Sequence, residues 1–182
     1  MRILGVDPGS TATGYGVVEF AGGRLSHVAH GILRPERGGA LADRLSKIHS
    51  GLVEVAAEHT ADLAVVERVF MASNPRSALV LGQARGAALA ALAGAGLEVS
   101  ELSAREVKKA VAGTGAASKA QVQTMVMRLL DLSERPATDA ADALAVAICQ
   151  AHAGRLTGLG VVGRRRTLRS VAQSARFSRG RR

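Results

Sequence analysis

Apolar and polar positions along the 182-residue chain fall into runs of two different periods. Arg2–Asp7 is a short apolar run halted by Pro8-Gly9, the pattern of a buried strand. Gly14–Phe20 follows as a second strand, with Tyr15, Val17 and Glu19 on one face. Ala21-Gly22-Gly23 supplies a tight turn, so Leu25–Ile32 returns as a third, antiparallel strand. The period then changes. Leu41, Leu45, Ile48, Leu52 and Val55 recur at three- and four-residue spacings and predict an amphipathic helix over about 40–58. Leu63–Val66 is a short buried strand ending in Glu67. Asn74-Pro75 is a helix start, Asn as N-cap and Pro in the first turn, and the helix to about 93 carries Ala and Gly on several faces. Leu97–Leu102 reads as a fifth strand and Ser103–Val111 as a short helix. Beyond the Gly113-Thr114-Gly115 loop, Ser118 and Gln121 make a capping-box pattern ahead of an apolar face of Val122, Met125, Val126 and Leu129. Pro136 breaks the chain, and a last helix is expected over about 138–152.

The order β-β-β-α-β-α-β-α-α-α predicts an α/β fold. Three antiparallel N-terminal strands are extended by parallel strands through crossovers into a five-stranded mixed sheet flanked by helices. No internal repeats are visible. After Gly154 periodicity fades into Arg, Ser and Gly, so the expected organisation is a folded domain over 1–154 and a flexible basic tail over 155–182.

Charge sharpens that division. The formal net charge is +9, which makes a polyanion the first partner to consider. Residues 155–182 hold nine arginines and no acid, while 1–154 hold fifteen basic and fifteen acidic residues. The surplus therefore belongs to the tail. Aromatic residues are only 2% of the chain, which argues against a sheet that stacks single-stranded bases on rows of rings. One cysteine, Cys149, excludes an internal disulfide and an all-cysteine zinc site, and suits a reducing cytoplasm. An acid as early as Asp7 does not fit a signal peptide. The most apolar stretch, Gly86–Leu97, is shorter than the roughly 20 residues a membrane span needs. The expectation is a soluble cytoplasmic protein with no membrane partner.

Four acids sit where a site could form. Asp7 and Glu67 end strands that should be parallel neighbours, so both emerge at the carboxyl edge of the sheet, where ligand sites of open α/β sheets lie. Asp139 and Asp142 share one face at the start of the last helix, among alanines that leave them few places to point. Carboxylates converging in a partly buried place repel one another. Divalent cations resolve the conflict, and hard oxygen ligands suit Mg²⁺ or Mn²⁺. Two such ions about 3.5–4 Å apart can hold both the attacking and the leaving oxygen of a phosphoryl displacement. Singly, each acid has a plainer reading: Asp7-Pro8-Gly9-Ser10 is a good turn, Glu67 an exposed strand end, and Asp139 with Asp142 a helix cap and dipole complement. Three separate elements ending in acids favour the metal site, and spacing alone goes no further.

Four strings carry a resemblance: Gly5-Val6-Asp7-Pro8-Gly9-Ser10 with Thr13-Gly14-Tyr15-Gly16-Val17; Val66-Glu67-Arg68-Val69-Phe70-Met71; Leu81-Gly82-Gln83-Ala84-Arg85-Gly86; and Asp139-Ala140-Ala141-Asp142-Ala143-Leu144-Ala145. In this order, over about 1–152, they resemble the RuvC family of bacterial Holliday junction resolvases. The resemblance implies a ribonuclease H-like fold and a homodimer that cuts two opposed strands of four-way junction DNA, leaving 5′-phosphate and 3′-hydroxyl ends. It places Asp7, Glu67, Asp139 and Asp142 on the family's four metal-binding catalytic acids, two Mg²⁺ per site with Mn²⁺ as substitute. It places Phe70 on an aromatic set against bases near the junction point, and Lys108 and Lys119 on basic residues near the active site and DNA backbone. The implied partners are the RuvA junction-binding protein and the RuvB branch-migration motor. Some members use a histidine for the last acid. Asp142 stands there in this chain, and His152 reads as a helix-end residue.

Lys108 and Lys119 flank the Gly-rich loop and suit phosphate contact, which adds affinity and salt dependence rather than sequence reading. Arg76, at a helix start six residues beyond Phe70, is a candidate phosphate or base contact, or an ordinary surface arginine. The Ala/Gly helix is either a core helix or the self-complementary patch a two-fold dimer needs. Sugar kinases and actin-class ATPases share a strand-Asp-Gly opening but need two such domains, and no Gly-x₄-Gly-Lys-Ser/Thr loop occurs. A ribonuclease H-like enzyme acting on RNA and a non-catalytic Arg-tailed DNA-binding module are the remaining alternatives.

Overall fold

The structure is a computed structural model that describes residues 1–68 and 74–158, with side chains through Ala153. Its strands are β1 (Arg2–Asp7), β2 (Thr13–Ala21), β3 (Arg24–Leu33), β4 (Leu63–Arg68) and β5 (Glu98–Ser103). Its helices are α1 (Leu41–Glu58), α2 (Pro75–Gly94), α3 (Ala104–Ala112), α4 (Lys119–Leu129) and α5 (Thr138–Gly158). Among the described residues this is the expected element order.

The strands lie in the order β3-β2-β1-β4-β5. β1 and β3 flank β2 antiparallel, while β4 runs parallel to β1 and β5 parallel to β4. The expected mixed sheet is therefore formed. Two apolar layers cover it. Ile48, Leu52 and Val55 of α1 and Ala84, Ala88 and Leu92 of α2 bury one face with Leu4, Val6, Val17 and Val66. On the other face Val107 of α3, Val126 of α4 and Leu144 and Ile148 of α5 close over Ile3, Val18 and Val65. The 2-residue period of a strand then decides where the acids go. Val6 and Val66 are paired in register and face the α1/α2 layer, so Asp7 and Glu67, one residue on, both turn toward α5.

The helix signals act as read. Asn74 accepts a hydrogen bond from the Ser77 amide at 2.8 Å, and Ser118 and Gln121 cap α4 reciprocally. A second capping box, Ser103 with Glu106, opens α3. The chain differs from expectation at the end of α5, which continues through Gly154 to Gly158. One interior glycine costs a helix only about 1 kcal/mol, and Ala, Leu and His neighbours carry it. The domain boundary expected at 154 thus falls inside this helix.

α5 can lie directly on the sheet because glycines face it. A Cβ on Gly5 would run into the Ala143 carbonyl, and one on Gly14 into the Asp139 carbonyl. α2 is long and apolar enough by composition to cross a membrane, with a mean hydropathy of 1.2 over its best window, 22% of which is buried. It is nevertheless tied to the sheet by Ala84, Ala88, Ala91 and Leu92 and by an Arg85–Glu101 ion pair to β5.

Candidate active site

Asp7 and Glu67 meet at the carboxyl ends of adjacent parallel strands and share a side-chain hydrogen bond. Burial and the negative charge of Glu67 push the Asp7 carboxyl far above its usual range, and Asp142 and Asp139 add to the effect. Burial raises Glu67 as well, while its bond to Asp7 and the nearby Lys119 and Lys108 oppose that rise. Both carboxyls are thus pushed toward the protonated form, by burial above all.

α5 brings the other two acids. Asp139 lies in its first turn, with its backbone seated on Gly14, and Asp142 follows one turn later. Asp7, Glu67 and Asp142 line an open cleft of about 680 Å³ together with Lys108 and Lys119. Lys119 Nζ stands 3.2 Å from Asp142 Oδ2, and that carboxylate raises the lysine's own pKa. Asp139 is not part of the cleft lining, although its charge reaches Asp7. Among the described residues no group of three or more acidic, histidine or cysteine side chains is drawn together closely enough to hold a metal ion as it stands. Asp7, Glu67 and Asp142 instead line the open cleft.

The donor chemistry fits a hard divalent cation. Three cleft-lining carboxylates supply oxygen alone, and an ammonium group already sits against one of them, Asp142.

Two residues outside the candidate site set support the strand end carrying Asp7. Thr13 is the one fully buried polar residue among those described. Its hydroxyl donates to the Gly9 carbonyl at 2.8 Å and accepts from the Gly9 amide at 3.3 Å. Arg44 of α1 donates twice to the Ser10 carbonyl, at 3.0 and 2.5 Å. Both partners are backbone atoms, which leave no side-chain pattern to read. Arg68 and Arg105 also line the cleft, and Arg68 was legible only as the residue after Glu67. Arg76 is exposed at the start of α2 and does not line the cleft. Phe70 lies outside the described residues.

A mixed sheet in this order, with acids at two strand ends and on the helix laid across them, defines a ribonuclease H-like nuclease. The comparisons narrow that class. Residues 3–150 match the family model described as crossover junction endodeoxyribonuclease RuvC. Two proteins of that description are similar throughout: one from Cupriavidus metallidurans is 52% identical and one from Burkholderia vietnamiensis 51%, each over 87% of both chains. The structure of T. thermophilus RuvC in complex with a Holliday junction substrate superimposes with a TM-score of 0.81 at 33% identity, covering 86% of this chain and 96% of that one. The yeast mitochondrial Holliday junction resolvase shares the fold, with a TM-score of 0.59 at 14% identity over 82% of this chain and 77% of that one. This chain belongs to the RuvC family of crossover junction endodeoxyribonucleases.

Proposed function

We propose that this endonuclease resolves four-way DNA junctions at the cleft formed by Asp7, Glu67 and Asp142, with Asp139 completing the ligand set. The observation that carries the reading is the convergence of Asp7, Glu67 and Asp142 in one cleft walled by Lys108 and Lys119. The carboxylates would hold two Mg²⁺ ions, with Mn²⁺ substituting; bound ions supply charge neutralisation at the scissile phosphate and a nucleophilic water. The chain's own groups do the rest. Asp7 and Glu67 turn their oxygens to the cleft. Lys119 leaves Asp142 for a phosphate oxygen, and Lys108 takes a neighbouring one. Thr13 and Arg44 keep Asp7 at the strand end while charges change around it.

A homodimer places two such clefts on opposed strands of one junction, giving paired nicks with 5′-phosphate and 3′-hydroxyl ends. The exposed apolar side of α2, where Leu79 is 66% exposed, is the surface offered for self-association. Phe70 and Arg76 precede and begin that helix and are proposed to contact junction DNA. RuvA and RuvB are the proposed partners, the cytoplasm the proposed compartment, and residues 155–182 a basic anchor on DNA.

The test compares a mobile four-way junction, a linear duplex and an RNA hairpin, with and without Mg²⁺. Paired symmetric nicks on the junction alone, requiring the metal, are expected. Equal cutting of duplex, or a preference for RNA, overturns the junction reading. Asp7→Asn should bind the junction without cutting it, and full activity in that variant overturns the metal-site assignment.

A further inference from the structure

A second cluster of metal-ligating side chains lies on the sheet away from the carboxylate cleft. His27 and His30 are three residues apart on β3, a spacing that would put them on opposite faces of a regular strand. The β2–β3 ladder, however, shifts register between Val17 and Val18: Val17 pairs with Ala29, Val18 with His27. The bulge adds one residue to β3 and re-aims the side chains beyond it. His27 then stands opposite Val18, which packs in the α5 layer, and His30 opposite Gly16, whose missing side chain would meet Leu144 of α5. Both rings thus come to one face of an edge strand, with centroids 4.9 Å apart and His27 Nε2 at 2.8 Å from His30 Nδ1.

From this geometry we propose that His27 and His30 chelate a transition-metal ion of the Ni²⁺ or Cu²⁺ type, separately from the carboxylate site. Imidazole nitrogens favour such ions over Mg²⁺. Donors about 2.0 Å from an ion stand roughly 2.8 Å apart when they occupy adjacent corners of a square plane or octahedron, and about 3.3 Å apart in a tetrahedron. The 2.8 Å of the hydrogen bond between the metal-free rings is already close to the first of these separations. The rings are already in contact, so little side-chain freedom remains to be lost on binding.

The hydrogen bond between the facing nitrogens holds one proton. Coordination moves it to the outer nitrogen of the same ring, and the ion binds to both facing nitrogens from a point beside the line that joins them. Burial and the neighbouring His30 lower the His27 pKa, which keeps that ring neutral and its lone pair free near neutrality. Beside His27 a recess of about 540 Å³ is lined by Ser26, Asp131 and Arg24, so water can fill the remaining coordination positions. Bound there, the ion pins the bulge at the free edge of the sheet.

The experiment is a Ni²⁺ titration of the full-length chain with Mg²⁺ in excess to occupy the carboxylates, read by NMR of the histidine ring protons. Paramagnetic broadening should reach His27 and His30 first, at one equivalent, with exposed His49 of α1 as internal reference. His27→Asn and His30→Gln should each lose this tight phase, and also the rise in melting temperature that Ni²⁺ gives the unaltered protein. Broadening of His49 at the same Ni²⁺ concentration, or no preferential broadening of the pair, overturns the site, as does a variant that retains full binding. Because the first readout uses the unaltered chain, a variant that fails to fold does not decide the matter. Junction cleavage plays no part in it, so a failure here leaves the nuclease reading untouched.

Discussion

At the scale of single residues, Asp7 carries a conflict between stability and use. Its carboxyl is raised from 3.8 to about 8 by burial and by Glu67. The folded, metal-free protein therefore holds a proton that the unfolded chain has released once the pH passes the ordinary carboxylate range. Stability from this group is fully present below about pH 4 and is lost as pH rises through about 8. Asp7→Asn removes the penalty. It should melt higher than the unaltered chain in chelator at about pH 8, and the difference should shrink toward about pH 5. Thermal melts across that range check the sign; a constant difference would mean that Asp7 is not the titrating group. The same variant should cut the junction at least about 10²–10³-fold more slowly, the scale of losing one group that stabilises transition-state charge. Lys119 poses the complementary case. It is 74% exposed yet paired to Asp142, an exchangeable cation on a carboxylate that is itself largely covered.

At the scale of elements, the approach of α5 to β1 and β2 sets the spacing of the four acids. Gly14→Ala would put a methyl group where the Asp139 carbonyl lies. Overpacking of this kind costs about 1–3 kcal/mol. The start of α5 should shift, lowering metal-dependent cleavage as well as stability, and denaturant unfolding with a cleavage assay on the surviving fold checks both. These elements were legible because each strand or helix keeps its own hydrophobic period and begins or ends on Asn, Ser, Pro or Gly. The acids were legible for a related reason: Asp7 and Glu67 end apolar runs, and Asp139 and Asp142 open an alanine-rich helix. The illegible part depends on backbone meeting backbone or side chain meeting backbone across the fold. The seat of Asp139 on Gly14, the bonds of Thr13 and Arg44 to carbonyls, and the β3 bulge at His27 all belong to that group. The end of α5 is hidden for another reason: Gly154 resembles a helix stop, yet its propensity cost is small enough for its neighbours to offset.

At the scale of the whole molecule, the proposed dimer and the proposed DNA anchor each make a prediction. The outer side of α2 exposes Leu79 on a helix whose buried residues are Ala84, Ala88, Ala91 and Leu92. Leu79→Glu should weaken self-association by about 2 kcal/mol or more if this helix forms the dimer centre. Sedimentation measures that, and paired nicks should give way to single ones; an unchanged dimer would move the interface elsewhere. The proposed anchor is electrostatic. Truncation after Gly158 keeps α5 whole and removes eight of the nine arginines in 155–182. Junction affinity should fall, and the slope of log K against log salt should flatten by about 0.9 for each phosphate no longer neutralised. Cleavage at low salt should persist. A truncated protein that binds yet cannot cut would make those arginines part of the working site.

The seating of α5 on the first hairpin also bears on time. Asp7 lies in β1 and Asp142 in α5, so the two acids can meet only after every described element between them has been made. Joining them means closing a long stretch of chain. A ribosome-bound or prematurely ended chain that lacks α5 has Asp7 and Glu67 but no helix to complete the cleft. If the proposed site is the working one, a copy that stops short of α5 should bind no metal at the cleft and cut no junction.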